Sequence, residues 1–199
     1  MNPILTKNYE AAAAVSQYRI AKFGASDGLA GQAADTIDPL IGVFDLSASQ
    51  GERVDVVRQG IAEVELGGAI TRGAQVTTDA DGKGVALAAA DYGMKQAVAA
   101  GEDASVSAQA IVVTGIRTTD VLVSVVRVVG AGTDATDIAD VTAKFTITDD
   151  DEITQADTDM SSDKLIVTYR RYAYVLGQAE VSGASGDIID VAIAPSRVG

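Results

Sequence analysis

Read for the spacing of its apolar side chains, the chain is a succession of short strands. Tyr18, Ile20 and Lys22 alternate with Arg19, Ala21 and Phe23, the period-two pattern of a strand. Two β-rich runs, PLIGVFDL (39–46) and ERVDVVRQ (52–59), flank SASQG and predict a hairpin. In GIAEVELGG (60–68), Ala62, Val64 and Leu66 take one side of a strand, Glu63 and Glu65 the other. AQVTTDADGKGVAL (74–87) predicts a second hairpin, with Asp81-Gly82 at its turn. Residues 1–17 hold little apolar bulk beyond Ile4, Leu5 and Tyr9. They read as an extended arm, whose Ala run 11–14 either joins a short helix or stays loose. At 88–108 Ala, Gly and Ser dominate, alternation fades, and a linker with at most one helical turn is expected. Strands are then predicted at 109–116, 120–129, within 141–155 (Phe145 and Ile147 facing one way) and within 163–172, a spacing that suits a small antiparallel sandwich.

One phrase is written twice. LIGVFDLSASQGERVDVVR (40–58) aligns without a gap on VLGQAEVSGASGDIIDVAI (175–193) at an offset of 135 positions (Gly42 to Gly177). Gly42/Gly177, Ser47/Ser182, Gly51/Gly186, Asp55/Asp190 and Val56/Val191 are identities. Either two generic hairpins have converged, or one domain is interrupted by another. The economical reading is a discontinuous domain, residues 18–90 plus 171–199, with 91–170 inserted at an exposed hairpin, where loop-closure entropy grows slowly with length. On that reading Ile41, Val54, Val56, Leu176, Ile189 and Val191 share one core.

Composition narrows the chemistry. Apolar residues make up 47% of the chain, aromatic residues 5%, and there is no Cys, His or Trp. Without Cys or His, thiolate and imidazole nucleophiles, imidazole proton shuttles, Cys/His zinc sites and disulfides are all excluded. The net charge of −13, from 28 acids against 15 bases, repels a nucleic-acid backbone. No apolar run approaches the roughly 18 residues of a membrane span, and the N-terminus has no apolar core of a signal peptide.

Few residues suggest a reactive site. Asp79-Ala80-Asp81-Gly82 opens like a calcium loop but lacks the later acids, and reads as a β-turn. Asp149, Asp150, Asp151, Glu152, Asp157, Asp159 and Asp163 either gather around a hard cation or form a solvated loop. Glu63 and Glu65 point the same way at strand spacing, with no aromatic platform near them. Arg170-Arg171 between Tyr169 and Tyr172 reads either as an anion site or as the protective charge of a strand edge. No phosphate loop is present. No catalytic residue, metal ligand or cofactor is assigned, and an enzyme is not expected.

MNPILTKNYEAAAAVSQYRIAKFG, IGVFDLSASQGERVDVVRQGIAEVELGGAITRGAQVTTDADGKGVA and VLGQAEVSGASGDIIDVAIAP, taken in this order, resemble the capsid cement (head decoration) proteins of tailed bacteriophages. Residues 91–170 are a departure from that pattern and are similar to small β domains of other phage structural proteins. The resemblance implies a mostly β chain: a compact barrel or tulip-like decoration domain, an inserted sandwich and an N-terminal arm. It implies a structural protein made in the host cytoplasm that ends on the outer surface of the expanded virion head. There it would bind the major capsid protein, as a homotrimer at three-fold and quasi-three-fold positions, and stabilise contacts between capsid subunits without engaging nucleic acid or membrane. Ile4, Leu5, Tyr9, Tyr18 and Arg19 are the expected capsid contacts. The alternative is a surface-exposed adhesion or fibre module that binds a host surface or glycans, although scarce aromatics argue against a sugar platform.

Overall fold

The computed structural model describes residues 2–102, 104, 107–129, 138–156, 159–161 and 163–199. The chain is mostly β and divides into two compact units, Met1–Asp91 with Ala173–Val198, and Tyr92–Tyr172 with Gly199. The first unit begins with β1 (Asn2–Ala11), β2 (Ile20–Phe23), β3 (Leu29–Gln32), β4 (Leu40–Phe44), β5 (Arg53–Glu65), β6 (Gln75–Thr78) and β7 (Gly84–Ala86). The second contributes β8 (Gly93–Ala100), β9 (Gln109–Val112), β10 (Val121–Val128), β11 (Ile138–Asp140), β12 (Phe145–Asp149), β13 (Glu152–Gln155) and β14 (Lys164–Arg171). The chain then returns to the first unit with β15 (Ala173–Ala179) and β16 (Ile188–Val198).

The repeated phrase folds the same way twice. β4 meets β5 at Val43↔Val57 and Phe44↔Val56; β15 meets β16 at Gln178↔Ala192 and Ala179↔Val191, the same pairs 135 positions on. The residues preserved between the phrases have matching duties. Ser47 Oγ accepts the Gln17 N–H at 3.0 Å, and Ser182 Oγ accepts the Arg72 N–H at 2.9 Å. The Glu52 carboxylate caps the Ser49 N–H, and that of Asp187 the Ala184 N–H. A Cβ at Gly42 would collide with the Val57 carbonyl oxygen, and one at Gly177 with that of Ala192, so both positions exclude a side chain.

The duplication reaches further than the sequence shows. The β1–β5 pairs Tyr9↔Val54 and Lys7↔Val56 recur as Val64↔Ile189 and Ala62↔Val191, which relates Tyr9 to Val64 at a second offset of 55. Ile20↔Val43 and Ala21↔Gly42 recur as Gln75↔Gln178 and Val76↔Gly177. The parallel pair Ala11↔Ala30 recurs as the bridge Leu66↔Gly84. Hydrogen bonding therefore runs β1–β3–β2–β4–β5 and back to β1, a closed ring. A second ring runs from Leu66, the residue after β5, by its single bridge to Gly84 of β7, then through β6, β15 and β16 back to the C-terminal half of β5. β5 serves both: it ends the first ring and begins the second.

Each ring has its own interior, so the expected single core is corrected, and Ile20, Leu40, Val43 and Val57 of the first ring's strands pack into the second cluster. Ile41, Val54 and Val56 pack with Tyr9, Ala11, Val15, Ala21, Ala30 and Phe44. Leu176, Ile189 and Val191 pack in a second cluster, with Val64, Leu66, Ile70, Val76 and Ala179, the counterparts of the first set. The remaining counterpart, Gly84, is also buried. The side chains differ, but bulk is redistributed: Tyr9 and Phe44 fill the first ring where the second has Val64 and Ala179, while Leu66 and Val76 replace Ala11 and Ala21.

The expected arm is also corrected. Asn2 to Glu10 pair along β5, and Tyr9, Ala11 and Val15 are core residues. The ladder, not side-chain burial, holds residues 2–8, whose side chains are exposed; hence the missing alternation.

In the second unit a four-stranded sheet, β11–β10–β14–β8, and a three-stranded sheet, β12–β13–β9, are antiparallel throughout. Both contribute to one core that includes Ala99, Ile111, Val125, Phe145, Ile153, Leu165 and Val167. Two expectations fail here. The presumed linker contains β8, concealed because alanines occupy much of its inward side, and the run 141–155 is a β12–β13 hairpin that turns at Asp151, whose φ is 61°. Gln155, fully buried, takes the place of a strand partner: its Nε2 donates to Glu102 O at 2.7 Å and its Oε1 accepts the Glu102 N–H at 3.1 Å.

The insertion occupies the β7–β15 connection, whose counterpart between β3 and β4 is the short loop 33–39. Replacing residues 88–174 by Ala34–Pro39 should therefore leave a chain with both rings closed. The expected result is one cooperative thermal transition with β-type circular dichroism; a chain that melts without cooperativity would show that the second ring depends on the insertion.

Candidate functional site

Five residues were expected to contact a partner, and the structure separates them. Ile4 and Leu5 lie on β1 and are 79% and 47% exposed. Ile4 is the bulged residue between Pro3↔Gly60 and Leu5↔Gln59. Gly60, at φ 103°, has no Cβ to strike the Asn2 carbonyl and the Ile4 N–H, which allows β1 to bend there. Leu5 lines an open depression of about 430 Å³ with Arg58, Gln59, Ala194 and Pro195. Beyond β5, among the described residues β1 pairs only through Glu10 and Ala11, which leaves its other edge unpaired there from Asn2 to Tyr9. Pro3 and Lys7 stand on it, residue types that blunt exposed edges. Tyr9 is excluded from any contact surface: it is 2% exposed, and its hydroxyl is buried without a hydrogen-bond partner.

Tyr18 and Arg19 belong to a different constellation. Tyr18 is held at φ 65°, a left-handed conformation that side chains disfavour; its counterpart in the second ring is Gly73 at φ 82°. Its N–H donates to the Phe44 carbonyl and its carbonyl accepts from Glu65 N–H, which fixes that conformation from both sides. Arg19 Nη2 lies 3.1 Å from Glu65 Oε2, and Lys83 Nζ lies 2.9 Å from Glu65 Oε1. One carboxylate thus joins strands β5 and the β6–β7 turn to the entry of β2. The hydrogen bond from Lys83 holds the Glu65 carboxyl below the usual carboxylate range, against the opposing effect of partial burial, and Arg19 adds to the lowering. A depressed folded-state value stabilises the fold above the unfolded value and is lost as pH falls through the folded one. Glu65→Gln should therefore lower stability at neutral pH, with the gap from wild type closing on acidification through the Glu65 folded-state value, as read from urea midpoints against pH.

The pair Arg170-Arg171 divides between two roles. Arg171 is buried and forked onto Asp120, Nε to Oδ1 at 3.0 Å and Nη2 to Oδ2 at 2.8 Å, and it also donates to the Gly115 carbonyl. Asp120 accepts the Arg117 N–H as well. This is a structural pair within the second unit, not an anion site. Removing one side of a buried ion pair is strongly destabilising, so Asp120→Ala should cost about 3–5 kcal/mol of that unit's stability, measurable by chemical denaturation.

The acids resolve into backbone caps. Asp79 Oδ1 accepts the N–H groups of Asp81 and Lys83, completing a turn. Asp150 accepts from Thr118, Asp151 from Gly115 and Asp159 from Ser161, while Asp163 pairs with Arg127. Asp157 lies outside the described residues. Among the described residues no group of three or more acids is placed to hold a metal ion, and no helix is long and apolar enough to cross a membrane.

A surface that the sequence reading missed lies on the outer face of the four-stranded sheet. Ile166 of β14 sits between Val98 of β8 and Val126 of β10, and Arg170 between Met94 and Val121. Met94, Val98, Val121, Val123 and Ile138 are 42–62% exposed. Only a reading of 93–100 as a strand would have aligned these residues on one face.

No protein-family model matches the chain, and no curated protein matches it. Among solved structures, the head fiber gp8.5 N base of bacteriophage phi29 is similar at 13% identity and a TM-score of 0.44, over 96% of this chain and 93% of that one. That score is below the level of a shared fold.

Proposed function

We propose that this chain is a capsid cement protein, a structural virion component on the outer face of the expanded head of a tailed bacteriophage, where it holds neighbouring major capsid subunits together. One observation carries the reading. The three segments that resemble cement proteins, residues 1–24, 41–86 and 175–195, fall in one unit and contribute to every strand of its two rings but β3, whereas the departing residues form the other unit. In this role the chain is a homotrimer and performs no catalysis. Its acidic surface keeps it from competing for DNA. Weak contacts suffice, because linked engagement raises avidity by roughly 10²–10⁴ over a single contact. The unpaired edge of β1, with Ile4 and Leu5 exposed on it, suits docking by strand addition.

A second reading, an adhesion or fibre module, is favoured by the apolar outer face of the second unit. Co-sedimentation with heads stripped of the protein separates the two. Saturable binding to expanded heads and not to unexpanded proheads, with a rise in the heads' resistance to heat, is expected of cement. Binding to host cells or glycans alone would replace that reading with the second. Deleting residues through Ala14 would remove Tyr9 and Ala11 from the core, so the β1 contact is tested by Ile4→Asp with Leu5→Asp, which should weaken head binding without moving the unfolding midpoint.

A further inference from the structure

The two rings allow each surface position to be compared with its counterpart. Most exposed positions have diverged: Arg53 corresponds to Ile188 and Gln50 to Ser185. Those that match usually serve the fold, as Ser47/Ser182 and Glu52/Asp187 do in capping backbone N–H groups. Several matched pairs have no such duty, and three of them, Ser16/Thr71, Asp45/Glu180 and Leu46/Val181, lie beside the Val15↔Ala48 and Ile70↔Gly183 bridges. Leu46 and Val181 are 60% and 47% exposed, Ser16, Thr71 and Glu180 are exposed, and Asp45 is half-buried. Among the described residues none of these side chains makes a hydrogen bond or ion pair.

Within each ring the three are neighbours. The bridge Val15↔Ala48 runs Ser16 and Gln17 alongside Leu46 and Ser47, and Ile70↔Gly183 does the same for Thr71 and Arg72 against Val181 and Ser182. Each ring thus presents an acid, an exposed aliphatic side chain and a hydroxyl in the same arrangement. An aliphatic group kept in water contributes nothing to the fold, and scattered single cases need no explanation. The same trio kept twice, side by side on one patch of each ring, is a different matter.

We infer that the chain is bivalent: the patches around Leu46 and Val181 bind the same feature on two neighbouring copies of one partner subunit. The partner feature is a cationic side chain beside an apolar one, the complement of Asp45 or Glu180 beside Leu46 or Val181. The inference rests on the cement reading, which supplies a lattice of identical capsid subunits, and it explains why a tethering protein would consist of two equivalent rings.

The test uses the full chain and stripped expanded heads, with Leu46→Asp, Val181→Asp and the double variant. The serine substitutions at both positions serve as a second set, and unfolding midpoints identify any variant that does not fold. The two single variants should weaken head binding by similar factors. The double should weaken it by far more, up to the roughly 10²–10⁴-fold that linked engagement supplies. Asp45→Asn with Glu180→Gln should weaken binding at low salt more than at high salt. A double variant that binds like wild type overturns the inference and leaves the cement reading standing. A loss confined to one single variant overturns bivalence. Failure of the wild-type chain to bind heads overturns the cement reading and the inference together.

Discussion

The first unit depends on β5. Arg53 to Val57 pair with β4 and β1, and Gly60 to Glu65 pair with β16, so one uninterrupted strand supplies the closing wall of the first ring and the opening wall of the second. At Gly60 and Ile61 both edges are occupied, by Pro3 and Asn2 on one side and Ile193 and Ala192 on the other. The crowding there demands glycine at position 60, where a Cβ would meet the β1 backbone. The rings are joined by the strand itself, without a linker, and their spacing along it is set by the roughly 3.3 Å rise of extended chain, about 25 Å between the middles of the two stretches.

The rings share packed side chains as well as a strand, since Ile20, Leu40, Val43 and Val57 of the first ring's strands join the second cluster, yet the two interiors are filled differently. The first core relies on two aromatic residues, Tyr9 and Phe44, surrounded by small ones; the second spreads a similar role over Leu66, Ile70, Val76, Leu176 and Ile189. Backbone pairing and the interior positions are common to both, while volume is partitioned differently. Each core was free to settle its own packing because close-packed interiors constrain total volume more than the identity of any residue. The hydroxyl of Tyr9, buried without a partner, is a cost specific to the aromatic solution.

How much of this could be read in the sequence follows from that difference. The 135-position repeat was visible because glycines with no room for Cβ, capping serines and capping acids recur in it, and these tolerate few substitutes. The 55-position repeat was not, because it is carried by core positions where Tyr became Val and Ala became Leu or Val. Strand β8 was hidden by alanines, which carry little signal of period. β1 reads as an arm in the sequence because ladder hydrogen bonds leave no trace in side-chain pattern. Of the candidate contacts, Ile4 and Leu5 are exposed as a surface role requires. Tyr9 is not, since one buried aromatic residue at the end of an exposed strand looks the same in sequence as an exposed one. Glu65 was noticed as an acid of a strand, but its two cations come from residues 46 positions before and 18 after it, beyond any local motif.

The placement of the insertion sets the order in which the molecule can be made. The first ring is complete once β5 has left the ribosome. The second ring's opening wall is then already in place, held by its continuity with the first, but its partner β16 follows the whole of residues 92–172. At about 5–20 residues per second, the interval between the end of β5 and the start of β16 is on the order of 6–24 s. Throughout it, Ile61 to Glu65 offer an open strand edge, with Ala62 and Val64 uncovered beside it. A second unit that folds by itself brings β7 and β15 within reach of each other and shortens that exposure. Its compactness therefore serves the nascent chain as well as the finished protein.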